Sequence, residues 1–150
     1  MSKTSIALLA SAEIGPLPDC QDYVWSRLAD FPGWVEYLPG LHAQRLIYAD
    51  PPGRGTVLMQ QWGRNEETWQ VQYWHPGQRL ELILQESTLS IGVRFDLDAG
   101  SDTEHTLLKL EAEIHCTGVL ALLAPLYAYL LRRRVRSRFL PLMHSIQQAR

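Results

Sequence analysis

Alternation of apolar and polar residues governs the middle of this chain. From Ser90 to Leu97 the residues Ile91, Val93, Phe95 and Leu97 share one parity, while Gly92, Arg94, Asp96 and Asp98 share the other. From Thr106 to Cys116 the residues Leu108, Leu110, Ala112 and Ile114 alternate with Lys109, Glu111, Glu113 and His115. Successive side chains of a strand point to opposite faces, so both runs predict strands with one dry face and one solvated face. Four further segments rich in branched and aromatic residues read as strands: Leu41 to Ala49, Thr56 to Trp62, Thr68 to Trp74 and Arg79 to Glu86. Their connections are Asp50-Pro51-Pro52-Gly53, Gly63-Arg64-Asn65-Glu66, His75-Pro76-Gly77, Ser87-Thr88 and Ala99-Gly100-Ser101-Asp102. Loops this short join antiparallel neighbours, because a parallel crossover needs about a dozen residues or more.

The ends of the chain follow other periods. Lys3 to Ile14 reads as a first strand, closed by Gly15-Pro16-Leu17-Pro18-Asp19, whose prolines cannot donate to a ladder. A helix is predicted from Asp19, with its carboxylate accepting first-turn amides and Tyr23, Val24, Leu28 and Phe31 at helical spacing. Pro32-Gly33 stops it, and a second short helical segment runs on towards Gly40. Val119 to Gln148 is predicted to be helical, with an apolar stripe through Leu126 or Tyr127, Leu130 or Leu131, Val135, Phe139, Leu142 and Ile146. Pro125 either opens that helix, leaving Val119 to Ala124 as a separate turn, or kinks it. The dry sheet face needs a cover and this helix supplies one. The expected class is α+β: a curved seven-stranded antiparallel sheet wrapped around a long C-terminal helix, with two short helices after the first strand.

Composition narrows the functional range. At 150 residues, 46% of them apolar and 20% charged, the chain fits one domain spanning residues 1–150. A net charge of −2 argues against a surface built for nucleic acid. Cys20 and Cys116 are far apart and belong to no Cys/His cluster, so no disulfide framework or metal site is signalled, and reduced thiols in a cytoplasmic protein are expected. Ser5 to Ala12 is apolar and ends in Ala-Ser-Ala, but it reads as strand rather than signal sequence. No apolar run reaches the roughly 18 to 20 residues of a membrane span.

At this point the chain resembles the START-like (SRPBCC) superfamily, in its polyketide cyclase/dehydrase and lipid-transport branch. The resemblance rests on Val24-Trp25 followed by Leu28-Ala29-Asp30, on Gly33-Trp34-Val35-Glu36-Tyr37-Leu38-Pro39-Gly40, on Trp69-Gln70-Val71 leading to Trp74-His75-Pro76-Gly77-Gln78-Arg79-Leu80, and on the Leu/Arg-rich terminal helix. It implies the helix-grip fold, and it leaves function open, because one fold carries many activities. The ubiquinone-binding branch shares the Leu28-Ala29-Asp30 and Tyr37-Leu38-Pro39 pattern but fits the rest of the chain less well.

A helix laid across a curved sheet leaves space, so a cavity binding a small hydrophobic molecule (lipid, polyketide or quinone-like) is expected. Trp34, Tyr37, Met59, Gln61, Trp69, Tyr73, Phe95 and Tyr127 are the candidate lining residues, against the alternative that such aromatics are ordinary core. A second class, a cyclase, aromatase or dehydratase acting by positioning, would assign His42, Gln61 or Tyr73 to polarise a carbonyl or move a proton. No cofactor is implied. His75, His105 and His115 read as solvated, and no nucleophile motif is present. The segment Arg132, Arg133, Arg134, Arg136 and Arg138 reads as a solvated face or as a contact for anionic lipid or an acidic ligand, with Arg138 nearest the apolar stripe.

Overall fold

The computed structural model describes residues 2–47, 51–100 and 102–148. Strand β1 (Ser2–Ile14) is followed by helix α1 (Cys20–Leu28), a 3-10 turn at Phe31–Gly33 and the single-turn helix α2 (Trp34–Tyr37). Six strands come next: β2 (Leu41–Leu46), β3 (Val57–Trp62), β4 (Asn65–His75), β5 (Arg79–Gln85), β6 (Leu89–Ala99) and β7 (Thr106–Thr117). A 3-10 turn at Gly118–Leu123 leads into helix α3 (Ala124–Gln148). The sheet order is β1-β7-β6-β5-β4-β3-β2, with every neighbouring pair antiparallel. The expected fold is therefore the one observed. The expected end of β2 at Tyr48 and Ala49, with Asp50 and Ser101 of two connections, lies outside the described residues.

Parity places the charges of β6 and β7 as expected. Ile91, Val93, Phe95, Leu97, Leu108, Leu110, Ala112 and Ile114 are buried on the concave face. The convex face is laced by cross-strand ion pairs: Arg79 with Asp96 at 2.6 Å, Arg94 with Glu81 at 3.3 Å and with Glu111 at 3.6 Å, and Lys109 with Asp98 at 3.1 Å.

Local details depart from expectation for identifiable reasons. Asp19 precedes α1 in the left-handed region (φ 51°), and its side chain makes no cap bond; its carbonyl instead accepts from the Tyr23 amide at 3.0 Å. The helix stops at Leu28, so Phe31 enters the core from the 3-10 turn rather than from the helix. Pro125 lies in the first turn of α3, where its missing N–H needs no partner, and Gly118–Leu123 forms the separate turn. Gly118, at φ 62°, makes the reversal out of β7.

Helix α3 is tied to the β1 edge. A register shift between Leu8 and Ala10 leaves the Leu9 carbonyl free of the ladder, and Arg136 Nε donates to it at 3.1 Å. Nearer the C-terminus, Gln147 Nε2 donates to the Glu13 carbonyl at 3.3 Å. Helix and edge strand thus run side by side in the same direction.

Candidate functional site

The buried face of α3 changes character along its length. Its C-terminal half presents Val135, Phe139, Leu142, Met143 and Ile146, whereas its N-terminal half presents Ala124 and Ala128. In the first region the gap between helix and sheet is closed by rings. Phe139 meets Trp34 edge-on at 5.8 Å and Phe95 at 5.5 Å, and Phe31 meets Trp34 at 5.1 Å and Trp74 at 6.0 Å. Trp34, Phe31 and Phe95 are fully buried and Phe139 is 1% exposed, so these rings fill that half with one another. The Trp34 indole N–H donates to the Leu28 carbonyl at 3.0 Å, which leaves it no handle for a ligand.

Under the N-terminal half the fully buried side chains shrink to the methyl groups of Ala124 and Ala128, with Tyr127 and Leu131 half-buried against the core, and a cleft remains. It has a volume of about 300 Å³ and is lined by Thr4, Ile114, Cys116, Ala124, Pro125, Ala128 and Arg132. That volume stands at the lower end of the roughly 300–1,000 Å³ of small-molecule sites. Most of the lining is apolar. Arg132 is half-buried at its edge, its Nε donating to the Ala128 carbonyl at 3.1 Å, and no described residue accepts from its terminal amino groups. Cys116 is a buried free thiol on the sheet side.

The residues expected to line a cavity separate into several places. Trp34 and Phe95 belong to the ring cluster. Met59, Gln61 and Tyr73 lie on the convex face of the sheet. In β3 the concave row is Leu58, Gln60 and Trp62, all buried, and the Gln61 amide turns back to the Gly63 carbonyl at 3.0 Å. In β4 a register shift between Val71 and Tyr73 sends Tyr73 outward, 42% exposed, and brings Trp74 inward against Trp25. Tyr37 is half-buried with the Arg27 guanidinium 4.5 Å above its ring, and Tyr127 packs half-buried against the core. His42 is exposed, at the register shift between Leu41 and Ala43. None of the three candidates for proton transfer, His42, Gln61 and Tyr73, lines the cleft under α3.

Trp69 and Arg138 do come together, around Glu67, a residue between the expected turn and the expected strand that lies within β4. Glu67 shares the concave parity of Trp69 and Val71. It accepts two bonds from Arg138, at 2.7 and 3.1 Å, and one from the Trp69 indole at 3.1 Å. The Arg138 guanidinium also lies 4.1 Å from the centre of the Trp62 ring. The Trp62 indole donates to Gln60 Oε1 at 2.8 Å, Gln60 Nε2 to Gln44 Oε1 at 2.6 Å, and Gln44 to the Phe31 carbonyl. This bidentate pair and its amide chain satisfy their own polar groups and brace α3 against β3 and β4. Of the cleft residues, Arg132 belongs to the arginine segment expected to meet anionic lipid or an acidic ligand, whereas Ala124 and Ala128 had no part in the expected site; their legible signal was a pair of alanines four apart on the stripe of an otherwise large-residue helix.

Asp102 and His105 form a coupled pair apart from the cleft. Asp102 Oδ1 is 2.8 Å from His105 Nδ1 in the β6–β7 loop; that hydrogen bond is the main cause that raises the imidazole pKa and lowers that of the carboxyl. Among the described residues no group of three His, Cys, Asp or Glu is placed to hold a metal ion, and no helix is long and apolar enough to cross a membrane.

At the level of sequence, no family model and no curated protein matches the chain. At the level of structure, similarity is extensive. The chain is similar to Ara h 8.0201, with a TM-score of 0.69 at 10% identity over 99% of this chain and 100% of that one. It is similar to norcoclaurine synthase from Thalictrum flavum in complex with dopamine and hydroxybenzaldehyde, with a TM-score of 0.63 at 15% identity over 99% of this chain and 90% of that one. It is similar to the di-domain ARO/CYC protein BexL from the BE-7585A biosynthetic pathway, with a TM-score of 0.67 at 14% identity over 99% of this chain and 51% of that one. The chain therefore shares the helix-grip fold of these structures, a curved seven-stranded antiparallel sheet around a long C-terminal helix. At these identities the likeness fixes the fold and leaves the activity to the site.

Proposed function

We infer that this protein binds a small, mainly apolar molecule carrying an acidic group, held in the cleft between the N-terminal half of α3 and strands β1 and β7. One observation carries the reading: an apolar cleft of about 300 Å³ with Arg132 at its edge, whose terminal amino groups have no partner among the described residues. Such a site rewards burial of a hydrocarbon and pairs Arg132 with a carboxylate or phosphate. One fold neighbour, norcoclaurine synthase, is described in complex with dopamine and hydroxybenzaldehyde, which supports small-molecule binding on this fold. Among the described residues the lining carries no carboxylate or imidazole, so the geometry favours holding a molecule over a positioned proton transfer.

Titration with cis-parinaric acid, a fluorescent fatty acid, tests this. Saturable binding is expected. Ala128→Trp should abolish it by occupying the cleft, and Arg132→Gln should weaken the acid about tenfold while leaving the corresponding alcohol unchanged. Parinaric acid that binds Ala128→Trp as well as wild type would place the ligand elsewhere.

A further inference from the structure

Helix α3 has an outward face that the cleft does not use. Leu126, Tyr129 and Leu130 project from its first turns and are more than half-exposed or close to it, and the preceding 3-10 turn adds Val119, Leu122 and Leu123, with Leu122 73% exposed. Spacings of three, four and seven residues align Leu126, Leu130 and Arg133 on one line of the helix, and Arg134 flanks that line. The apolar strip thus runs directly into a cationic collar. Arg133 and Arg134 are exposed and form no ion pair or hydrogen bond with any described residue. A contiguous strip of large apolar side chains on an outer face marks an interaction surface.

Its occupant follows from charge. A second copy seated symmetrically on this face would bring two arginine collars together, which costs association energy. An anionic bilayer meets both halves of the surface: leucine side chains enter the acyl boundary, the Tyr129 ring lies at the headgroup level, and guanidinium groups reach lipid phosphates. The mouth of the cleft, at Pro125, Ala128 and Arg132, belongs to the same stretch of helix. We propose that residues 119–134 form a membrane-docking surface, which lays the protein on anionic lipid with the apolar strip inserted and Arg133 and Arg134 at the phosphates. The surface is independent of whether the cleft holds a ligand; docking would bring an apolar ligand's entrance to its lipid source.

Co-sedimentation tests it, using vesicles of phosphatidylcholine and phosphatidylserine in a three-to-one ratio against vesicles of phosphatidylcholine alone. The protein is expected on the anionic vesicles, released as salt is raised. Each of Arg133→Gln and Arg134→Gln should weaken partitioning about fivefold, and the two together by roughly twenty-five-fold. Leu126→Asp, at a position 57% exposed and so tolerant of charge, should abolish partitioning with an unchanged circular-dichroism spectrum. Binding to neither vesicle, or equal binding to both with no effect of the arginine changes, would overturn the proposal. So would a concentration-dependent dimer that Leu126→Asp dissolves, which would assign the strip to a second copy. Parinaric acid titrated without vesicles separates this from the ligand reading: Arg133→Gln and Arg134→Gln should leave probe affinity intact, while Ala128→Trp should lose the probe and still sediment with anionic vesicles.

Discussion

Truncation of Phe139 distinguishes a filled interior from the wall of a ligand cavity. The ring is 1% exposed and lies edge-on to Trp34 at 5.8 Å and to Phe95 at 5.5 Å. Phe139→Ala removes the transfer energy of a fully buried ring and both edge contacts, and it opens a void beside the buried rings of Trp34 and Phe95. Large-to-small changes of this kind cost about 3–5 kcal/mol, and the close packing around Phe139 puts it at about 4. For a chain of this length that lowers the melting temperature by roughly 8–16 °C. Equilibrium urea unfolding is the assay, with the midpoint expected to fall at unchanged slope. A ring that merely bordered an open hollow would surrender part of its transfer energy and create no new void. A loss under about 1 kcal/mol would therefore refute the claim that this half of the grip is plugged by its own side chains.

Other predictions address the remaining groups. Glu67→Ala strands the Arg138 guanidinium against Trp62 and should cost about 2–3 kcal/mol in urea unfolding, because both partners are 15–17% exposed; Glu67→Leu with Arg138→Met should cost less than the single change, and a larger loss would contradict the bracing role. Stability from the raised His105 imidazole is present below its unfolded-state pKa and lost as pH rises through its folded one; that from the lowered Asp102 carboxyl is present above its unfolded-state pKa and lost as pH falls through its folded one. In an NMR titration, Asp102→Asn should move the His105 midpoint to lower pH, and an unmoved midpoint would deny the coupling. Tyr73→Phe should change neither unfolding free energy beyond about 0.5 kcal/mol nor parinaric acid affinity, since the ring is on the convex face; loss of affinity would restore Tyr73 to the site.

The sequence was most readable where hydropathy and charge agreed. From Ser90 to Asp98 and from Leu108 to His115 the apolar residues hold one parity and the charged residues the other, so the faces assigned themselves, and the cross-strand ion pairs fall where the polar parity put them. In β3 the two rows are Leu58-Gln60-Trp62 and Val57-Met59-Gln61, each mixing apolar with polar, and hydropathy does not choose between them. The row holding Gln60 is buried because Gln44 and Trp62 satisfy its amide, a tertiary arrangement with no local signature. The bulge in β4 turned Tyr73 out and Trp74 in, since one extra residue reverses every later side chain. Aromatic richness identified the residues that fill the interior; the open space lay under small residues, and Ala124 and Ala128 attract no attention in a search for large, polar-tipped side chains.

The account rests on a division of α3 into a C-terminal half that plugs the grip and an N-terminal half that roofs a cleft. A crystal structure of the protein soaked with a long-chain fatty acid tests this most directly. The account predicts ligand density between Ala124, Ala128 and the Ile114–Cys116 stretch of β7, with its carboxylate on Arg132. Density beside Trp34, Phe95 and Phe139, with those rings swung apart, would contradict it.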